Sequence, residues 1–383
     1  MKLERFNQFL LAFYLGYLGI SKYFISIFPE YSFLVLLVPT IVVVLLSCIL
    51  NIRSSILKRY PLILMVGVIL LILIYLAFSS TSASFTYSYY FLIYGAVPLF
   101  LLFRISKLDV FFKYFAYFGL AIVLLVGGDP LNDYLMTGDY MGYGYLVMLP
   151  AFAALFIGRK YYKMWWLLPL ELVALILIIL YANQGAILSA FSLILFSILL
   201  IDKPSRRQKF IYVMGIALAV LLVLQAKPVL EWGIDLAKTN GQSSYALEKA
   251  YKVLDGDADG LSGRSEHWDN ALVMIAEKPV LGHGIGAFES KHGIYAHNLL
   301  LEITVSFGVV GLIMFLCYIA FYIRKMLISE RKSRLSYVLG ISIGVIPLMF
   351  SMQPFIWYFF WVFTMNLNII AKPAVLEKDN DEK

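Results

Sequence analysis

Ala296-His297-Asn298-Leu299-Leu300-Leu301-Glu302-Ile303-Thr304-Val305-Ser306-Phe307-Gly308-Val309-Val310-Gly311 is the junction on which the reading of this chain turns. On its C-terminal side apolar residues continue to about residue 323, enough for a membrane span, which needs roughly 20. On its N-terminal side lies a hydrophilic stretch, 227–295, of about seventy residues, longer than an ordinary connection. His267, His283, His292 and His297, all four histidines of the chain, fall in that stretch or at its end. The rest of the chain reads as membrane anchor and this segment as a site.

Outward from the junction the composition agrees. The chain is 61% hydrophobic and 14% charged, with a mean hydropathy of +0.83, where soluble domains are about 25% charged. Apolar runs predict spans at about 7–28, 32–51, 61–79, 88–103, 109–127, 141–158, 165–182, 185–201, 209–226, 296–323, 335–352 and 355–371. The expected fold is an all-α polytopic membrane protein of about 12 transmembrane helices. Its units are an N-terminal bundle over 1–226, an extracytoplasmic loop over 227–295, C-terminal helices over 296–371 and a disordered cytoplasmic tail over 372–383. The net charge of +7 does not call for nucleic acid. The basic residues fall into alternate loops, Arg53/Lys58/Arg59, Arg104/Lys107, Arg159/Lys160/Lys163, Lys203/Arg206/Arg207/Lys209 and Arg324/Lys325/Arg331/Lys332/Arg334. The positive-inside rule makes those loops and both termini cytoplasmic and the long loop external. The start of the chain lacks a small-residue cleavage site and reads as an uncleaved first span. Cys48 and Cys317 each sit in an apolar run and suggest neither a disulfide nor a metal site.

Within the loop, Ser244–Leu254 and Ser265–Glu277 have helical spacing, the second with Trp268, Leu272 and Ile275 on one face. Both are expected to lie over the membrane surface as amphipathic helices. Asp255-Gly256-Asp257-Ala258-Asp259-Gly260 followed by Glu266 has the spacing of a calcium loop, although Ser262 replaces an apolar residue there.

The order Ser262-Gly263-Arg264, Trp268, Glu277-Lys278-Pro279-Val280-Leu281-Gly282-His283-Gly284-Ile285-Gly286, Ala296-His297-Asn298 and Gly308-Val309-Val310-Gly311 resembles the O-antigen ligase / polysaccharide polymerase (Wzy-type) family of bacterial envelope glycosyltransferases. The motif likeness covers about residues 262–311. The resemblance implies a GT-C-like enzyme of the bacterial cytoplasmic membrane that needs no metal or other cofactor. It would transfer a glycan from undecaprenyl pyrophosphate to an acceptor sugar hydroxyl outside the membrane. Its partners would be the lipid-linked oligosaccharide donor and acceptor, membrane lipid, and a chain-length regulator and flippase. Residue chemistry agrees. Arg264 offers a permanently charged fork to a diphosphate leaving group, and His297 has the near-neutral pKa that suits a base for the acceptor hydroxyl.

Asn298, His283, Gln184, Glu302 and Tyr140 complete the candidate set as substrate-binding residues. Glu302 is an intramembrane acid, a functional candidate by default, able to orient His297 or bind a hydroxyl. His283 lies between two glycines that suggest a turn, and His267 and His292 are read as solvated. Glu171 is expected to snorkel or pair locally. Members of the family often have an arginine before Gly-Ala at an earlier span, where this chain has Asn183-Gln184-Gly185-Ala186, so one cation is missing. Gly138-Asp139-Tyr140-Met141 and Gly142-Tyr143-Gly144-Tyr145 resemble polymerases. The expected activity is therefore polymerisation of lipid-linked repeat units for capsule, exopolysaccharide or O-antigen, with ligation to another acceptor as the alternative. A lipid-linked sugar transporter fits less well, because the mid-membrane positions are nearly uncharged.

Overall fold

The computed structural model describes residues 2–51, 70, 86–87, 89–102, 104–105, 108–127, 142–180, 184–202, 226–239, 247–248, 251–252, 255, 264–330, 333–350 and 357–364. Among them every regular element is helical and no strand occurs. The bundle comprises α1 (Lys2–Ile27), α2 (Ser32–Asn51), α3 (Phe91–Leu102), α4 (Asp109–Val126), α5 (Leu149–Tyr162, entered through a π-helical turn Tyr143–Met148), α6 (Leu168–Leu180) and α7 (Gln184–Ile201). Outside it lie α8 (Ala226–Thr239), α9 (Arg264–Glu277) and α10 (Ala287–His292). Then come α11 (Leu299–Ile328), α12 (Arg334–Phe350) and α13 (Phe360–Thr364). By length and composition three of the described helices can cross a membrane: Pro29–Leu50, Gln184–Ile201 and Leu299–Ile328. Shorter apolar helices occupy Phe91–Leu102, Val110–Val126, Trp165–Ile179 and Arg334–Phe350. Apart from Leu70 and Ala226, the expected runs at 61–79 and 209–226 lie outside the described residues, as do the tail at 372–383 and most of 355–371.

The bundle is held by close backbone approach rather than by oil-and-water partition, as lipid-embedded helices require. A Cβ on Gly119 of α4 would come within 2.6 Å of Ala154 on α5, and one on Gly158 of α5 within 2.6 Å of Ala116 on α4. The two helices therefore approach closely on small residues over one turn of each. Buried hydroxyls also tie helices together. The Tyr14 hydroxyl donates to the Ile93 carbonyl at 3.0 Å and shares a hydrogen bond with Thr40 Oγ1 at 2.9 Å, which ties α1 to α2 and α3.

Charge concentrates at one end. Arg159 grips Glu171 through both Nε and Nη2, the latter 2.8 Å from Oε1. Lys160 meets Asp202 at 2.6 Å. Arg334 donates to the carbonyls of Leu200, Leu327 and Ser329 and so clasps the ends of α7 and α11. Glu171 thus pairs locally, as its position suggested. The other end of α11 carries α9 and α10.

Three local results differ from the sequence reading. The helix α8 was not foreseen, because its start merges with an apolar run and its sequence is cut by Pro228 and Gly233. The span expected from residue 296 starts as a helix at Leu299, because His297 is left-handed at φ 55° and Asn298 is an extended N-cap. Of the helix expected at Ser244–Leu254, residues 247–248 and 251–252 are described, and these are helical.

Candidate active site

The site is built on a helix that breaks on purpose. Gly308 interrupts α11 at φ 66°, ψ −167°, a conformation open to glycine alone. The break frees the Val305 and Ser306 carbonyls and the Val309 and Val310 amides from helical pairing. All four are taken up by the turn after α9: His283 N–H donates to Val305 O at 2.8 Å and Gly284 N–H to Ser306 O at 3.0 Å. In return Val309 N–H donates to Pro279 O at 2.8 Å and Val310 N–H to Val280 O at 3.4 Å. Gly282, at φ 71°, faces Gly308 so closely that a Cβ would stand 2.6 Å from the Gly308 nitrogen, and a Cβ on Gly308 would stand 2.1 Å from Val280 O. The two glycine motifs that look separate in the sequence are one backbone-to-backbone joint.

This joint lays α9 along the start of α11. Ala271 and Met274 of α9, Phe288 of α10, and Ala296 and Val305 beside them form a small core distinct from that of the bundle. Arg264, His267, Ala271 and Met274 share the inward face of α9, at helical spacings of three and four. Trp268 and Leu272, expected to mark the apolar face, are exposed on the other side. The helix thus turns Arg264 and His267 toward the protein and Trp268 and Leu272 away from it.

His297 is the focal residue. It is 6% exposed and, with Lys163, is one of two non-glycine residues at positive φ among the described residues. Such a conformation costs on the order of 1 kcal/mol and persists only when its surroundings enforce it. Here two side chains do so. Asn298 Oδ1 accepts from the amides of Leu300 at 3.0 Å and Leu301 at 3.3 Å, capping α11. Glu302 Oε2 reaches back to accept from the Ala296 amide at 3.1 Å. His297 is presented from a turn clamped on both sides. The Tyr295 ring lies 4.1 Å from its ring and the His267 ring 5.8 Å.

His267 is therefore not solvated: it is half-buried, its Nδ1 is shielded from solvent, and that atom has no protein hydrogen-bond partner among the described residues. The sequence held the clue, since His267 lies three residues after Arg264 on one helical face. Tyr295 gave no such signal. His292 is also packed, its ring 4.6 Å from Phe288.

The remaining candidates fall in different places. His283 Nε2 lies 2.7 Å from the Met274 carbonyl and 3.8 Å from a Glu277 carboxylate oxygen, so its ring closes the end of α9. Gln184 opens α7, whose next residue, Gly185, packs against Tyr145 and Phe350. Phe350 ends α12, which runs antiparallel to α11 and packs on it, so Gln184 stands at the His297 end of the bundle. Tyr140, Asp257 and Asp259 lie outside the described residues. Asp255 pairs with Lys227, whose pKa the hydrogen bond raises, and Glu266 is exposed in the first turn of α9. Among the described residues no group of three or more His, Cys, Asp or Glu could hold a metal ion.

Residues 170–316 match a family model described as O-antigen ligase (Wzy_C). A protein of Rickettsia conorii named "Putative polysaccharide ligase" is 27% identical over 133 residues, a match that covers 28% of this chain and 32% of that relative's length. No solved structure matches. The chain is thus related to the O-antigen ligase family through residues 170–316, the segment that holds every site residue located above.

Proposed function

We propose that this protein is a membrane glycosyltransferase that moves a glycan from a lipid diphosphate carrier, undecaprenyl pyrophosphate, to an acceptor sugar hydroxyl at the outer face of the cytoplasmic membrane. The observation that carries this reading is the meeting of the Arg264–His267 face of α9 with a clamped His297 at the mouth of an apolar helix. In the reaction the bond between the anomeric carbon and the diphosphate oxygen breaks, and negative charge grows on the leaving diphosphate. Arg264 stabilises that charge, the role in which a preorganised cation contributes most to rate. His297 takes the proton of the acceptor hydroxyl as the new glycosidic bond forms. Asn298 and Glu302 act through His297, as positioning residues.

The chemistry we assign needs no metal, since the Arg264 guanidinium supplies the countercharge. In this reading the bundle 1–226 anchors the carrier, 227–295 brings part of the site, and both termini are cytoplasmic. The ligase names favour a final acceptor other than the next lipid-linked unit. The polymerase reading keeps the likeness of the Gly138–Tyr145 run, and a chain-length regulator and a flippase are expected partners in either pathway.

Deletion of the gene separates the two. Full-length polymer stranded on its lipid carrier is the outcome expected for a ligase; single repeat units at the surface would make the protein a polymerase. Normal surface glycan in the deletion strain would remove both.

A further inference from the structure

The joint between α9 and α11 lies beside the part of α11 that has to be in lipid. Arg324 and Lys325 fix one boundary, because charged side chains do not rest in hydrocarbon. From Arg324 to Val310 the helix climbs fourteen residues, about 21 Å at 1.5 Å per residue. The hydrocarbon core is about 30 Å thick, so Val310 lies inside it, about 9 Å short of the far boundary, and a tilt of the helix only deepens it. Leu299 lies eleven residues further on, past the Gly308 break, on the headgroup side of Val310.

Val310 N–H is bonded to Val280 O and Val309 N–H to Pro279 O. The turn after α9 is therefore held at the depth of Val309 and Val310. Its side chains suit that depth. Leu281 is 73% exposed and Val280 61%, and they continue the outward surface formed by Val309, Val310, Ile313 and Met314. Trp268 and Leu272, on the outer face of α9, extend it toward the headgroups.

Part of its backbone is also satisfied from within the protein. Irregular chain survives in hydrocarbon only if its polar groups are satisfied from within the protein. Pro279 has no amide hydrogen, the Lys278 carbonyl accepts from Gly282 N–H, and the Pro279 and Val280 carbonyls accept from α11. The Gly308 break is what makes the last two donors available.

We infer that the turn Pro279–Gly282 is a re-entrant element, with Val280 and Leu281 inserted among the acyl chains of the leaflet at the His297 end. It fastens α9, and with it Arg264 and His267, to the bilayer. The occupant of this apolar surface is lipid rather than protein, because the surface is continuous with the lipid-facing side of a spanning helix. The inference does not depend on which glycan is transferred, or on transfer at all.

The test is a nitroxide label on Leu281→Cys in a background with Cys48→Ala and Cys317→Ala, using the full chain in liposomes. Collision with oxygen, which partitions into lipid, is compared with collision with a water-soluble nickel chelate. Reference labels go on Met314→Cys and on Lys291→Cys, an exposed position on α10. The expected result is a label at 281 that behaves like that at 314, with an oxygen-to-nickel ratio several-fold above that at 291. A label at 281 as open to nickel as that at 291 would overturn the inference. So would one shielded from both reagents, which would mean that another segment or a second copy covers the turn.

Discussion

Glu171 and Glu302 are two carboxylates at opposite ends of the same helix bundle, and they are used in opposite ways. Glu171 takes a two-point grip from Arg159, a charge pair that staples α5 to α6. Glu302 accepts the Ala296 amide and, together with the Asn298 cap, holds His297 in a left-handed conformation. At the first end ionic partners spend the charge on architecture. At the second, backbone geometry holds the residues in place, and it is to His297 and the inward face of α9 that we assign the chemistry.

The sharpest way to break this contrast is at the glycine joint. Gly308→Val adds a β-branched side chain at positive φ, where its Cβ would collide with the Val280 carbonyl. The expected outcome is loss of transfer and rapid proteolysis of the 264–298 segment, with the bundle still folded. Unchanged protease resistance would mean that the joint does not hold α9.

Removing one partner of the ion pair is next. Arg159→Ala strands Glu171, and the cost of a broken buried pair is about 3–5 kcal/mol. A clear fall in melting temperature in detergent is expected, while the pair Arg159→Met with Glu171→Leu recovers most of it. Transfer per folded molecule should remain.

Glu302 separates geometry from charge. Glu302→Gln keeps an acceptor for the Ala296 amide and should leave the rate within a few-fold of wild type. Glu302→Ala loses the clamp and should lower kcat at least tenfold with little change in KM, as expected when the reacting group is misplaced. Equal losses in both variants would assign Glu302 a charge role instead. Asn298→Ala should cost about 1 kcal/mol as a lost helix cap, read as a small fall in melting temperature. The smallest effect is expected for Lys227→Ala, an exposed ion pair with Asp255 that should leave thermal stability unchanged.

Much of this was legible in the sequence. Apolar runs and alternating basic loops located most of the described helices, since lipid imposes length and charge rules that leave a direct mark on composition. The junction at 296–298 and the helix 265–277 were also found, the first from a hydropathy step and the second from periodicity. What stayed hidden depended on backbone geometry and on pairing between distant segments. The glycines at 282 and 308 are 26 residues apart in the sequence, and nothing in either motif says that it docks on the other. His267 reads as solvated because nothing in the sequence places it beside His297; the structure puts it on the inward face of α9, with Trp268 and Leu272 exposed on the outer face. Asn298 was expected to bind substrate and Glu302 to orient His297 or bind a hydroxyl; the hydrogen bonds of both to the backbone around His297 come from the structure.

The central claim is that Arg264 and His297 carry out transfer from a lipid diphosphate donor. It is tested most directly with purified protein in nanodiscs, given an undecaprenyl pyrophosphate-linked oligosaccharide and a sugar acceptor, with EDTA present throughout. The account predicts product from wild type and losses of on the order of 100-fold or more in Arg264→Ala and His297→Ala, both still folded by melting temperature. Product formed at wild-type rate by both variants, or transfer that stops on chelation and returns with a divalent metal, would contradict it.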